Sequence, residues 1–371
     1  MPPVDVEAPG RMMHDQIVFL GAGPEMQCGV GHFTQRLAQA MERATPGRCV
    51  EFPLTRSEGS LPALWKLIGC AGTVVCNFPI VAWKRVILRP LLALAMARLR
   101  GRRVVVIQHE WSSLNWMRRL TYLPALLLAD SILMFSPLVK RQLADGPMVG
   151  WLAKRCVLVP LPPNIEAPQA SADSPLRQRL IEARRDGRLV IGHFGSIYPG
   201  KQPEALLEIG AVLKQRGRRP LLVYIGSFIR GVDRAEEAFH ARVARLDMAD
   251  DVIVSGFVAS ESELFGLFEP IQAFCYQLDE GLTARRASIM AGAQSGRPII
   301  VTAAVDADEF AHHPRLQALI GSGAIVTVPG GSRYEAYADA VEAALGRRFE
   351  PPPFDFEGWW SDTVRAVAAE L

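Results

Sequence analysis

The run Asp279-Glu280-Gly281-Leu282-Thr283-Ala284-Arg285-Arg286-Ala287-Ser288 gathers two carboxylates, a glycine turn and two guanidinium groups ahead of an apolar helical pattern. A carboxylate there can grip paired sugar hydroxyls, the Gly281 and Leu282 amides with a helix dipole can hold a phosphate, and Arg285 or Arg286 adds charge. The plain alternative is a capped helix start with exposed arginines. A second stretch, Ile191-Gly192-His193-Phe194-Gly195-Ser196-Ile197-Tyr198-Pro199-Gly200-Lys201-Gln202, passes from apolar to glycine-rich to basic. A lysine held at such a turn among backbone amides suits a diphosphate, unless it is a solvated residue before a helix. A third, Val106-Ile107-Gln108-His109-Glu110-Trp111, ends an apolar run in histidine. Its neutral imidazole can donate to a hydroxyl or stabilise developing charge, or it can be a satisfied structural group; Glu110 can orient it or face solvent. Fourth, Gly21-Ala22-Gly23-Pro24 and Cys28-Gly29-Val30-Gly31-His32-Phe33 let backbone approach a ligand and open a helix whose amides attract an anion. They do not make the dinucleotide fingerprint, since no G-x-G-x-x-G joins strand to helix and Glu51 is a weak ribose ligand.

These stretches need elements to aim them, and the chain alternates short β-branched runs with longer helical patterns, as in a parallel sheet wrapped by crossover helices. Strands are predicted at 17–20, 49–52, 73–77, 104–108, 132–135 and 157–159, with helices at 33–43, 81–99 and 114–128. The rhythm breaks at Pro160-Leu161-Pro162-Pro163-Asn164, where proline removes donors and restricts its neighbours. It resumes with strands at 189–194, 221–225, 252–255, 273–276, 299–301 and 325–328 and helices at 203–215, 235–246, 261–268, 285–294 and 334–345. The fold class is therefore α/β, two doubly wound Rossmann-like domains in tandem, residues 1–165 and 166–350, followed by a segment 351–371. Ligands of such sheets sit at the carboxyl ends of the strands, and the cleft between two facing domains is the expected site.

Composition narrows the class. At 371 residues, 49% hydrophobic and 21% charged, the chain suits about two ordinary globular domains, not a disordered tail or a coiled coil. Its net charge of +3 conceals a split: residues 1–165 hold 19 Lys/Arg against 10 Asp/Glu, while residues 166–371 hold 22 against 28. Within the first half, Gly59 to His109 contains Lys66, Lys84, Arg85, Arg89, Arg98, Arg100, Arg102 and Arg103 and no acid, so it should seek anions or form a solvated basic face. The six cysteines lack C-x-x-C spacing and read as buried thiols of a reduced compartment. The opening MPPVDVEAPG lacks the basic and apolar character of a signal peptide, and no apolar run reaches the length of a spanning helix.

Taken in order, these pieces resemble nucleotide-sugar glycosyltransferases of the GT-B fold, and among them glycosyltransferase family 4, over nearly the whole chain. Cys28-Gly29-Val30-Gly31-His32-Phe33 looks like the family's G-G-x-G loop. Ser136-Pro137 and Val159 to Asn164 sit where it has V-S and I-P-N-G; Gly195 to Lys201 is similar to its G-R-x…K-G loop and Asp251 to Val258 to its V-x-F-x-G-x-V strand. Phe356 to Leu371 looks like the helix that crosses back onto the N-terminal domain. The resemblance implies that the C-terminal domain binds the donor and the N-terminal domain the acceptor. Glu280 would contact donor-sugar hydroxyls as the first acid of E-x7-E, Lys201 would hold the diphosphate, and His109 would lie near the anomeric centre. Gly29, Val30 and Gly31 would face the diphosphate and acceptor, and Gly195, Gly281, Leu282, Arg285, Arg286 and Ser288 would line the donor. Ser288 replaces the second acid of E-x7-E and Ser196 the arginine of G-R-x, so the carboxylate grip on ribose is missing and the nucleotide stays open; Arg285 or Arg286 could supply charge at the diphosphate.

The expected activity is transfer of a hexose-type sugar from a nucleotide-diphosphate sugar to a saccharide or lipid-linked saccharide, retaining by family comparison, in bacterial-type polysaccharide or glycolipid biosynthesis. No metal or other cofactor is expected: there is no D-x-D motif, and cations with backbone amides can stabilise the leaving diphosphate. The alternative is a catalytically weakened GT-B protein that binds a sugar nucleotide or a partner. A cytoplasmic location is expected, peripheral on the inner face of the membrane, with anionic lipid met through residues 59–119, where Trp83, Lys84-Arg85 and Trp116-Met117-Arg118-Arg119 combine aromatic and basic groups. Nucleic acid is disfavoured, because the remainder is acidic and carries no recognised motif. Replacing Glu280 or Lys201 by alanine is expected to abolish transfer with the fold intact.

Overall fold

The computed structural model describes residues 16–23, 29–55, 59–111, 114–198, 201–229, 234–346 and 352–371. The chain divides into two units, Met1–Val159 with Ser361–Leu371, and Pro160–Trp360.

In the first unit the apolar runs become β1 (Gln16–Gly21), β2 (Cys49–Pro53), β3 (Ala71–Phe78), β4 (Arg103–Gln108), β5 (Ser131–Met134) and β6 (Cys156–Leu158). They form one parallel sheet in the order β2-β1-β3-β4-β5-β6. Val104 to Ile107 of β4 are wholly buried, the continuous apolar run required of a strand covered on both faces. The crossovers are α1 (Gly29–Ala44), α2 (Leu61–Cys70), α3 (Leu88–Leu99), α4 (Trp116–Leu128) and α5 (Pro137–Ala144). Asn115 caps α4 by accepting the Arg118 amide at 2.9 Å, and Ser60 caps α2 through the Ala63 amide at 3.3 Å. The single helix predicted over 81–99 is instead a 3-10 turn, Val81–Arg85, followed by α3. Trp83 is drawn inward at this break, and its indole donates to the Leu54 carbonyl at 2.9 Å.

The second unit repeats the plan with β7 (Leu189–Phe194), β8 (Pro220–Ile225), β9 (Val252–Val254), β10 (Ala273–Tyr276), β11 (Ile299–Thr302) and β12 (Ile325–Val328), parallel in the order β12-β11-β10-β7-β8-β9. Its helices are α6 (Pro175–Arg185), α7 (Pro203–Gln215), α8 (Ala235–Arg245), α9 (Glu261–Phe268), α10 (Ala287–Gln294), α11 (Pro314–Gly321) and α12 (Tyr334–Gly346). Strands β8 and β9 extend the sheet one way from β7 and β10 to β12 the other, so the switch point lies between β7 and β10. In the first unit the corresponding point lies between β1 and β3. Helices α2, α5, α6 and α11 are absent from the sequence reading; each starts on a proline at its first or second position, where proline opens a helix instead of breaking it.

The division falls earlier than the expected residue 165. Segment 160–165 belongs to the second unit, held by His313 Nε2 against the Leu161 carbonyl at 2.9 Å and by Gln294 Nε2 donating to Ile165 at 2.7 Å. The last helix, α13 (Phe356–Ala368), spans the second division. Its start stays in the second unit, where Trp360 Nε1 donates to Pro163 at 3.2 Å and the Trp359 ring meets His313 and Phe354. Its end lies in the first, where Thr73 Oγ1 donates to the Leu371 carbonyl (3.1 Å), Arg103 Nε to the Glu370 carbonyl (2.9 Å) and Ser131 Oγ to the Glu370 carboxylate (2.9 Å). Among the described residues no helix is long and apolar enough to cross a membrane.

Candidate functional site

At the switch point of the second unit, β7 and β10 pair only through Ile191 with Ala273 and Gly192 with Phe274, and then part. The Tyr276 hydroxyl accepts the Phe194 amide at 3.1 Å, replacing the rung that the ladder omits. Gly195 follows with φ of 122°, a backbone that side chains rarely adopt. A Cβ on Gly195 would lie 2.5 Å from Lys201 Nζ and 3.5 Å from Ser288 Cβ. The lysine ammonium therefore rests directly over the Gly195 backbone, beside the first turn of α10. Gln202, at φ 41°, donates from Nε2 to Asp279 Oδ1 and ties the loop after β7 to the loop after β10.

The charges at this point do not balance. Lys201 makes no ion pair with a carboxylate among the described residues, and its nearest charged neighbour in effect is Arg286. Burial, then repulsion from Arg286, pulls the Lys201 ammonium down to about 8. Arg286 is lowered too, by burial and then by Arg285, and it hydrogen-bonds the Tyr198 hydroxyl. One carboxylate serves both arginines: Glu280 Oε2 lies 2.5 Å from Arg285 Nη2 and 3.5 Å from Arg286 Nη2. Arg286 Nε is buried with no partner. His193 lies on β7 two residues before Gly195, its ring 4.6 Å from that of Tyr276. Burial, then Lys201, pushes His193 to about 3, so it is neutral at physiological pH. Its Nδ1 faces the Cys275 carbonyl at 3.4 Å and its Nε2 is buried without a partner. Lys201, Arg285 and Arg286 thus gather at one place, with Glu280 between the two arginines, and such a cluster of desolvated cations suits a small polyanion.

Two expectations are corrected here. The Gly281 amide donates to Leu278 at 3.1 Å and the Leu282 amide to Thr302 at 2.9 Å, so neither faces a phosphate. The chain must turn tightly to reach β11: Gly281 has φ 67° and a Cβ would come within 2.1 Å of the Ala303 carbonyl. Helix α10 starts at Ala287, not Arg285, so both arginines sit in the turn ahead of it, and Arg286 is the one coupled to Lys201. The residues that hold this loop lie far from it in sequence. The buried Glu309 accepts the Ala284 amide at 3.0 Å, and Thr302 Oγ1 accepts the Leu278 amide at 2.9 Å while sharing a hydrogen bond with Tyr337 (2.7 Å). Asp306-Ala307-Asp308-Glu309 has the look of a solvated acidic turn; the following Phe310, itself buried, is the one signal that the segment turns inward.

In the first unit His109 stands at the carboxyl end of β4, where its amide donates to Phe78 at 2.9 Å. The half-buried ring packs against Phe33 (5.4 Å) and Phe135 (4.9 Å), with Nε2 3.3 Å from Oδ1 of the buried Asn77. Gly29, Val30 and Gly31 form the first turn of α1 and not a loop; Thr34 Oγ1 donates back to Val30 at 2.8 Å. Phe33 thus links this helix start to His109. Cys28 and Pro24 in the first unit, and Pro199 and Gly200 in the second, lie outside the described residues.

The basic stretch is largely structural. Arg89 donates to the Thr55 carbonyl, Arg98 to Asp130 (2.5 Å), Arg102 to Gly69 (2.9 Å) and Arg103 to Glu370. Trp83, expected at a membrane surface, is buried, and the Lys84 and Arg85 side chains lie outside the description. Exposed along with Lys66 and Arg118 are the apolar side chains of Leu88, Leu92 and Leu99 on α3 and of Trp116, Met117 and Leu120 on α4. Among the described residues no group of three His, Cys, Asp or Glu could hold a metal ion.

No protein-family model and no curated protein sequence matches the chain. Solved structures do. Anabaena HepE in complex with UDP is 16% identical, with a TM-score of 0.57 over 95% of this chain and 100% of that one. A glycosyltransferase from Rickettsia africae ESF-5 is 12% identical, with a TM-score of 0.57 over 96% of this chain and 94% of its own. Sucrose-phosphate synthase from Thermosynechococcus elongatus is 13% identical, with a TM-score of 0.56 over 96% and 94%. With two six-stranded parallel α/β units in tandem and near-complete coverage of these proteins, the chain has the GT-B fold.

Proposed function

We propose that the chain is a glycosyltransferase that moves a hexose-type sugar from a nucleotide-diphosphate sugar to a saccharide or lipid-linked saccharide, with retention at the anomeric carbon, in polysaccharide or glycolipid assembly. The observation that carries this reading is the desolvated Lys201 ammonium held over the Gly195 backbone beside Arg286, at the carboxyl ends of β7 and β10. When the bond from the anomeric carbon to the diphosphate breaks, negative charge grows on the leaving oxygen. Desolvated cations already in place stabilise that charge without reorganisation, and no metal is invoked. Glu280 is assigned to donor-sugar hydroxyls, and His109, oriented by Asn77, to the reacting centre. HepE is solved with UDP-glucose, which makes UDP-hexoses the first donors to try.

The test screens UDP-, GDP- and ADP-sugars by thermal shift and then assays transfer with the best donor in wild type and His109→Ala. A selective shift, with turnover falling about 10²–10⁴-fold in His109→Ala while the shift persists, supports the assignment. No shift with any nucleotide sugar overturns it, and a shift without turnover supports the binding-protein alternative.

The exposed faces of α3 and α4, with Lys66 and Arg118 at the surface, are assigned to an anionic membrane face, where the acceptor would be met. Co-sedimentation with phosphatidylglycerol vesicles should be strong at low salt, weaker at high salt, and reduced by Trp116→Ala/Leu120→Ala. Binding indifferent to lipid charge overturns this part.

A further inference from the structure

The second unit has an open cavity of about 590 Å³ lined by Ile181, Arg184, Arg185, Glu269, Pro270 and Arg297. Its position follows from topology. Arg184 and Arg185 end α6 just before β7, Glu269 and Pro270 lead into β10, and Arg297 leads into β11. These are three adjacent strands, and all six residues gather at their amino ends, whereas Lys201 and Arg286 sit at the carboxyl ends. Across a six-residue strand such as β7 the two places are roughly 20 Å apart.

The cavity concentrates positive charge on the half of the chain that holds 22 Lys/Arg against 28 Asp/Glu. Its one carboxylate is already engaged, since Arg177 donates to Glu269 from both Nε (3.1 Å) and Nη2. Arg297 spends Nη2 on the Glu269 carbonyl at 2.9 Å, and its Nε is buried without a partner. Burial, then repulsion from Arg184, lowers the Arg297 guanidinium. Arg184 and Arg185 form no ion pair among the described residues. Cations at the end of α6 suit its helix dipole, but that accounts for neither Arg297, which arrives from another element, nor the cavity.

We propose that Arg184, Arg185 and Arg297 form a second anion site for a small phosphate-bearing molecule, separate from the donor site. Guanidinium forks recognise phosphate oxygens in pairs, and Ile181 and Pro270 offer an apolar wall to the rest of a small, non-nucleotide ligand.

Inorganic pyrophosphate is the probe, titrated calorimetrically into the full chain carrying Lys201→Met, so that the donor site does not contribute. Binding that weakens at least tenfold when Arg184→Glu/Arg185→Glu is added, both at exposed positions, supports the site. No binding in Lys201→Met, or binding unchanged by the charge reversal, overturns it. In an otherwise wild-type chain, Arg184→Glu/Arg185→Glu should leave the nucleotide-sugar shift and turnover intact. Loss of that shift would show that the two places are one site and would overturn the proposal without touching the donor assignment.

Discussion

Lys201→Met should raise the melting temperature of the ligand-free protein at pH 7 while removing its response to nucleoside diphosphates. The reason is the desolvated ammonium, which titrates near 8 in the folded protein. An unfolded lysine titrates near 10.4, so between about pH 8 and 10.4 the unfolded chain binds more protons and stability rises with pH. Below that window both states carry the charge, and the folded state bears the whole cost of keeping it beside Arg286. Methionine fills similar volume without a charge and relieves that cost. Ligand binding moves the other way: at a hundred times Kd, a nucleotide stabilises wild type by about 2.7 kcal/mol, and the variant forfeits this. Transfer should fall at least 10²-fold, the usual effect of removing one preorganised group at a developing oxyanion. Wild-type donor affinity should also decline above pH 8, as the free ammonium loses its proton. Paired melting curves with and without nucleotide decide the matter: a variant that melts lower than wild type and still responds to nucleotide refutes the assignment.

Glu280→Ala should do the reverse to stability while also abolishing transfer. Glu280 is the carboxylate that Arg285 and Arg286 share, and both guanidinium groups are nearly buried, with side-chain exposures of 13% and 12%. Removing it leaves Lys201, Arg285 and Arg286 to repel one another. Loss of one partner of a buried pair costs about 3–5 kcal/mol, and because Glu280 itself is one-third exposed, about 1–3 kcal/mol is expected here. Glu280→Gln should cost less, since the amide oxygen still accepts a hydrogen bond. Adding Lys201→Met to Glu280→Ala should recover part of the loss, because it withdraws one of the repelling cations. Urea denaturation of the four proteins measures this; a Glu280→Ala chain as stable as wild type would contradict the charge arrangement. The sequence alone suggests that both substitutions leave the fold intact, and the arrangement of charges separates them.

The strands were the most legible part of the chain, because parallel strands buried on both faces are continuous apolar runs such as Val104 to Ile107. Four helices opened by proline, α2, α5, α6 and α11, were not legible, since the same residue also ends helices, whereas α7, likewise opened by proline, was read from its longer apolar pattern. At the candidate site, residue types were readable and their division of labour was not. Lys201 over Gly195 follows from a glycine turn before a lysine. That Arg286 and not Arg285 opposes Lys201, and that the Gly281 and Leu282 amides serve the fold, depend on how the loop is pinned to Thr302 and Glu309, two residues far along the chain.

The hydrogen bonds from Thr73, Arg103 and Ser131 to Glu370 and Leu371 bear on the order in which the protein is made. A chain emerging from the ribosome presents β1 to β6 first, yet the residues that close the amino ends of β3, β4 and β5 are translated only after all of Pro160–Trp360. The later-born unit is contiguous in sequence, while the earlier one includes residues 361–371. During synthesis the first unit therefore goes without these three hydrogen bonds for some two hundred codons after β6 is made, and a stop before residue 370 would leave the amino ends of β3, β4 and β5 without them.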